Sequence, residues 1–158
     1  GHEGIAVPRL TVDRNDVGVA GQHDAAGGRI AVARGQRRPQ VRLAALVVDE
    51  RGCSFFLSGT ASIVGHESVH GESLAGQLAE TLRNVERVLE QARRASARDL
   101  PGLSGFDLVK IYLRDRDRLD ALTGAVSSAL GTEVQVIVLE ADICRADLLV
   151  EIDGVALR

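Results

Sequence analysis

The chain has no Trp and no Met, a single Tyr and three Phe in 158 residues. With so few rings, stacking platforms for nucleic-acid bases are excluded, and a core has to be built from Leu, Val, Ile and Ala. Cysteine is also scarce: Cys53 and Cys144 stand far apart, which suits reduced thiols in a cytoplasm and not a disulfide scaffold. No apolar run approaches the ~20 residues that cross a bilayer. The longest covers 43–48, and no basic start followed by an apolar stretch marks a secretory leader. A soluble, cytoplasmic protein with no membrane partner is expected. Neither sign of charge dominates, with 19 Lys and Arg against 22 Asp and Glu, so no nucleic-acid partner is implied. What is present, 45% apolar and 26% charged residues, is the composition of one globular domain too short to divide into two.

Residues 1–40 are rich in glycine and polar side chains, and only 29–34 reads as a short strand before Arg37, Arg38 and Pro39 interrupt it. A loosely ordered lead-in over 1–40 and one domain over 41–158 are expected. Two β-rich runs, 41–48 and 54–58, flank Asp49-Glu50-Arg51-Gly52, a hairpin-turn composition, and should pair antiparallel. Leu74, Leu78, Leu82, Val85, Leu89 and Ala92 recur at helical spacing, with Arg83, Glu86, Arg87 and Glu90 off that stripe. The spacing predicts an amphipathic helix over 73–95. A loop with Pro101, Gly102 and Gly105 leads to a strand over 108–113. Asp115 or Asp117 then caps a second helix carrying Leu119, Leu122, Val126 and Leu130, which Gly131 ends. Strands over 134–139 and 148–156 close the domain. The order is β-β-α-β-α-β-β, an α/β (α+β) sheet with two helices on one face. Val134, Val136, Val138, Val150 and Ile152 are too apolar for a solvated sheet face, so partner subunits are expected to cover part of the other side.

Three stretches carry a family resemblance. They are Phe56-Leu57-Ser58-Gly59-Thr60-Ala61-Ser62-Ile63-Val64-Gly65-His66-Glu67-Ser68, then Gln77 with Glu80-Thr81-Leu82-Arg83-Asn84-Val85, then Ala141-Asp142-Ile143-Cys144-Arg145 with 148–156. A strand reaching Ser-Gly, a helix with this Gln, Glu-Thr and Asn, and a closing Glu-Ile-Asp-Gly-Val-Ala strand resemble the Rid (YjgF-like) superfamily. Its chorismate-mutase-like sheet agrees with the order read above. The longer forms of the first and third stretches resemble the C-terminal half of chorismatases, which remove pyruvate from chorismate. The resemblance covers about 41–157. Two departures accompany it. Chorismatases carry another lobe before this one, where about forty unpatterned residues stand here, so the chain is either part of a longer protein or a free-standing relative. Rid deaminases use an arginine fifteen residues before the glutamate matching Glu151, and that count lands on Val136, which argues against imine deamination.

The resemblance implies a homotrimer with clefts between subunits, a small carboxylate substrate, no cofactor, and a role in secondary metabolism. Glu151 matches the family's acid. Strand alternation sets it opposite Val150 and Ile152 and alongside Leu149 and Asp153, where lost hydration raises a carboxyl pKa as a general acid requires. The plainer reading is an interfacial glutamate bonded to backbone. Cys144 matches the position whose cysteine is associated with 3-hydroxybenzoate-forming chorismatases, although free cysteines often serve only as small buried apolar groups. Gly59, Thr60 and Ala61 are expected at the pocket rim, where close approach favours small residues. Tyr112, Arg114 and Arg145 are expected to flank the pocket, the arginines as bidentate forks for a dicarboxylate or simply as surface charges. A small-carboxylate binder without turnover, or a partner that completes the pocket of another chain, is the alternative function. His66-Glu67-Ser68-Val69-His70 fits the zinc-protease pattern HExxH, but Gly65 and Gly71 bracket it where a loop is expected, so no metal is predicted.

Overall fold

The computed structural model describes residues 18–23, 29–34, 44–49 and 52–157. A five-stranded sheet runs in the order β3-β4-β9-β7-β8, formed by β3 (Ala44–Asp49), β4 (Gly52–Ala61), β7 (Leu108–Leu113), β8 (Gln135–Glu140) and β9 (Val150–Leu157). Helices α1 (Leu74–Ser96) and α2 (Leu119–Leu130) pack on one face. Neighbouring strands are antiparallel except β7 and β8, which α2 joins as a parallel crossover. The α+β fold read from the sequence is therefore the fold observed. Two small hairpins were not anticipated: β1 (Gly18–His23) with β2 (Arg29–Arg34), and β5 (Ile63–Val64) with β6 (Glu67–Ser68). The strand expected over 29–34 is β2.

Ser73 caps α1, its Oγ accepting from Gly76 N at 3.1 Å. The expected stripe is buried except for the partly buried Leu82. Asp115 starts a 3-10 turn over Arg116–Arg118 that leads into α2, and Gly131 ends α2 at φ 79°. On the sheet side, Val109, Ile111, Leu113, Val150, Ile152 and Ala156 complete the core. Phe55 and Phe106 meet edge to face in it at 6.1 Å. Gly154 is needed there: a Cβ would lie 2.8 Å from Phe106 Cδ1 and 3.0 Å from the Leu108 carbonyl oxygen.

The phase of the apolar strand residues differs from expectation. Val150 and Ile152 lie under the helices, Val134 is buried, and Val136 and Val138 sit opposite core residues Val109 and Ile111. Alternation fixes that two sets exist, not which one meets the helices. The open face instead carries Phe56, Ile137, Leu139 and Leu157, each 40% to 51% exposed. No described helix is long and apolar enough to cross a membrane.

Candidate active site

On the open face, near the start of the central strand, β9 presents Glu151 opposite Tyr112 of β7 and Ala61 of β4. The pairing of β4 with β9 shifts register between Leu57 and Thr60, a bulge that re-aims the strand at the Ser-Gly of the first family stretch. Gly59 thereby lies against the Glu151 carboxyl so closely that a Cβ on it would sit 2.8 Å from Cδ. Thr60 turns the other way, opposite Ile152 and fully buried, with its hydroxyl donating to the Ser58 carbonyl at 3.0 Å. It shapes the bulge from behind and does not offer its hydroxyl to the open face.

Ala61 joins Ile63, Ile143, Leu148 and the partly buried Tyr112 in a small apolar cluster that walls one end of this face. Half-buried among these groups, Glu151 has its pKa raised, first by desolvation and then by the charge of Asp153. Asp153 shares its face, as expected, whereas Leu149 precedes the strand and is buried in the main core. Asp153 Oδ2 takes Lys110 Nζ at 3.0 Å and the Tyr112 hydroxyl at 3.0 Å. Its Oδ1 is buried without a partner among the described residues. The Asp153 carboxylate raises the pKa of Lys110, and the Tyr112 hydroxyl adds to this.

The two arginines expected to flank the pocket are occupied by the loop that carries Cys144. Arg114 donates from Nε to the Leu148 carbonyl at 2.7 Å, and from Nη2 to those of Ile143 at 2.9 Å and Arg145 at 2.8 Å. Its Nη1 pairs with Asp142 at 2.9 Å. The carbonyls on both sides of Cys144 are thus pinned, while Cys144 itself is exposed. Arg145 donates to the His66 carbonyl at 2.8 Å, tying the same loop to the β5–β6 turn. The helix signature also fastens this region. Gln77, fully buried, accepts from Leu149 N and donates to the carbonyls of Asp147 and Gly71. Asn84 donates to those of Ala61 and Ile63. His66–His70 is a short hairpin and turn with His66 and Glu67 exposed, so the helical facing that HExxH needs is absent. No group of His, Cys, Asp and Glu among the described residues could hold a metal.

Sequence reasoning named Glu151, Gly59, Ala61 and Tyr112, and the structure brings these together. It missed Lys110, although Lys110 and Tyr112 are two apart on one strand and so share a face. A cleft of about 230 Å³ lined by Leu113, Arg116, Leu119, Val138 and Glu140 lies beside α2 and contains none of the predicted site residues.

No protein-family model matches the chain. It is 41% identical over 102 residues to a chorismatase of Streptomyces rapamycinicus, a match covering 63% of this chain and 30% of that protein. A 3-hydroxybenzoate synthase of Streptomyces hygroscopicus is 34% identical over 111 residues, 69% of this chain and 33% of that one. A chorismatase crystal structure superposes with a TM-score of 0.71 at 28% identity, covering 99% of this chain and 44% of that one. Crystal structures of YjgF-family proteins, at 24% identity and TM-scores of 0.52 and 0.53, share the fold. The resemblance to chorismatases and to the Rid fold is thus borne out, and the chain spans about a third of the length of the curated relatives it matches.

Proposed function

We propose, from this likeness to chorismatases, that the chain supplies the acid-bearing part of a site that removes pyruvate from chorismate or a related enol-ether carboxylate, in cytoplasmic secondary metabolism. The observation that carries the reading is Glu151: a half-buried carboxyl against Gly59, its pKa raised by desolvation and by Asp153, in a chain similar to chorismatases. In the proposed reaction Glu151 protonates the enol-ether methylene carbon. A C–H bond forms, Glu151 becomes a carboxylate, and the ether carbon takes oxocarbenium character. Cleavage of the C–O bond to the ring then releases pyruvate. The ring is left as a cation: water adds to it and gives up a proton to the Glu151 carboxylate, leaving a diol, or the ring itself loses a proton to that carboxylate and aromatises to a hydroxybenzoate, so that either route restores the acid. Cys144, exposed on a loop pinned on both sides, is assigned the choice between these products.

A second reading is favoured by the occupied cations. Among the described residues, Arg114 and Arg145 are engaged by backbone carbonyls and Lys110 by Asp153, and we infer that the groups that neutralise a dicarboxylate come from another surface. That surface is a second copy in a homotrimer, or another chain whose pocket this one completes. The exposed Phe56, Ile137 and Leu139 on the open face support such a contact. Light scattering tests the trimer. Pyruvate release from chorismate, followed by lactate dehydrogenase coupling, tests the reaction. Glu151→Gln should lower turnover by roughly 10²–10⁴ with the fold intact, and Cys144→Ala should change the ring product seen by chromatography. Wild-type protein that releases no pyruvate, alone or with a supplied partner, would refute the reading.

A further inference from the structure

Glu151 does not stand alone on its face. Asp153, two residues along β9, is on the same side, and β7 sets Tyr112 and Lys110 across from these two carboxylates in register. Lys110 and Tyr112 both converge on one oxygen of Asp153, at 3.0 Å each, and on one another at 3.4 Å. The second Asp153 oxygen is buried and receives no donor among the described residues. Its charge is therefore only partly neutralised, and a buried acceptor left in this state projects its field onto near neighbours.

We propose that Asp153 and Lys110, linked through Tyr112, are positioning residues that set the protonation state of Glu151. The inference deepens the assignment of Glu151 as the acid and rests on it for its catalytic meaning. Its physical content is a balance of two opposed fields. A like charge on the same face disfavours ionised Glu151, and the ammonium that clamps this charge limits how far. The other groups around Glu151 do not enter the balance. β4 offers Gly59 and Ala61, Ile143 and Leu148 are apolar, and Asp142 and Arg145 of the adjoining loop are engaged elsewhere. The exposed Cys144 is the remaining titratable group of that loop. The raised pKa of Glu151, with Asp153 as its second cause, agrees with this arrangement.

The two partners should act in opposite directions, which a purely structural role would not produce. Asp153→Asn removes the repelling charge and frees the Lys110 ammonium to favour ionised Glu151, so its titration midpoint should fall. Lys110→Met leaves Asp153 uncompensated and should raise the midpoint. Lys110→Arg should return it toward wild type. The test is a ¹³C NMR titration of the glutamate carboxyls in the free protein, with Glu151→Gln identifying the resonance and amide spectra confirming the fold. Should Asp153→Asn fail to fold, Tyr112→Phe, which removes one donor and no charge, should shift the midpoint up by less than Lys110→Met. Midpoints that do not move, or that move the same way in both charge variants, overturn the inference. The titration needs no turnover. Opposed shifts in a protein that releases no pyruvate from chorismate would therefore uphold the tuning and reject the proposed reaction. Where turnover is present, the alkaline limb of kcat/KM should move with the NMR midpoint.

Discussion

The contact between Gly59 and Glu151 gives the sharpest test of whether this carboxyl has to be where it is. Gly59 does not lie in the left-handed region, so alanine can adopt its backbone. The added methyl would, however, begin 2.8 Å from Glu151 Cδ, where an unstrained carbon–carbon contact needs about 3.5–4.0 Å. The carboxyl must therefore retreat by about 1 Å. It can do so, because the group struck is the far end of a flexible side chain, and the rotameric cost is about 1 kcal/mol. Chemistry is less forgiving: a reacting group misplaced by about 1 Å costs on the order of 10²-fold in rate. Gly59→Ala should thus lower kcat for pyruvate release about a hundredfold while the melting temperature moves by only a few degrees. Turnover within threefold of wild type would show that the acid's placement against Gly59 is immaterial, and the assignment of Glu151 would fall with it. A large loss of stability would instead show that the bulge cannot accept a side chain at all.

Gly154→Ala, on the neighbouring strand β9 and facing the core, should behave in the opposite way. Its methyl meets the Phe106 ring at 2.8 Å and the Leu108 carbonyl oxygen at 3.0 Å, so a loss of about 1–3 kcal/mol is expected by denaturant titration. Glu80, buried on α1, should make the fold acid-sensitive. Burial works to raise its pKa, but Arg83 at 2.6 Å and Arg87 at 3.2 Å outweigh this and hold it below the usual range. A depressed folded-state pKa contributes stability above the unfolded value of about 4.3, lost as pH falls through the folded value. The acid limb of melting temperature against pH should therefore be shallower in Glu80→Gln, and an unchanged limb would refute the assignment.

The sequence was most informative where burial imposes a period. The stripe from Leu74 to Ala92 gave α1 to within a residue at each end, and the strand over 108–113 is β7 as observed. It was least informative about phase and about charge partners. Val150 and Ile152 were assigned to the open face because a two-residue period has no sign until a helix is docked against it. The arginines read as carboxylate forks or as plain surface charges, and not as braces of a loop, because nothing in a linear sequence says that Arg114 faces three loop carbonyls. Gln77 and Asn84, legible only as family marks, prove to be braces. Their amides bond backbone groups of the strand end and loop, and burying such groups unpaired would cost about 1–3 kcal/mol each.

These commitments bear on how the site works. Three cations of the described residues on these elements are spent: Arg114 on the Cys144 loop, Arg145 on the β5–β6 turn, Lys110 on Asp153. What remains is a half-buried acid beside a second, partly neutralised carboxylate. That combination favours the protonated form of Glu151, as the proposed chemistry needs, but it would repel a dianionic substrate. The two requirements would be met together if the cations were brought by a surface that closes over the face after, or with, the substrate. The exposed Phe56, Ile137 and Leu139 give such a surface an apolar seat, and closure would dehydrate Glu151 further, raising its pKa in the direction that favours proton transfer. The proposed assembly would then assist the acid itself as well as complete the pocket.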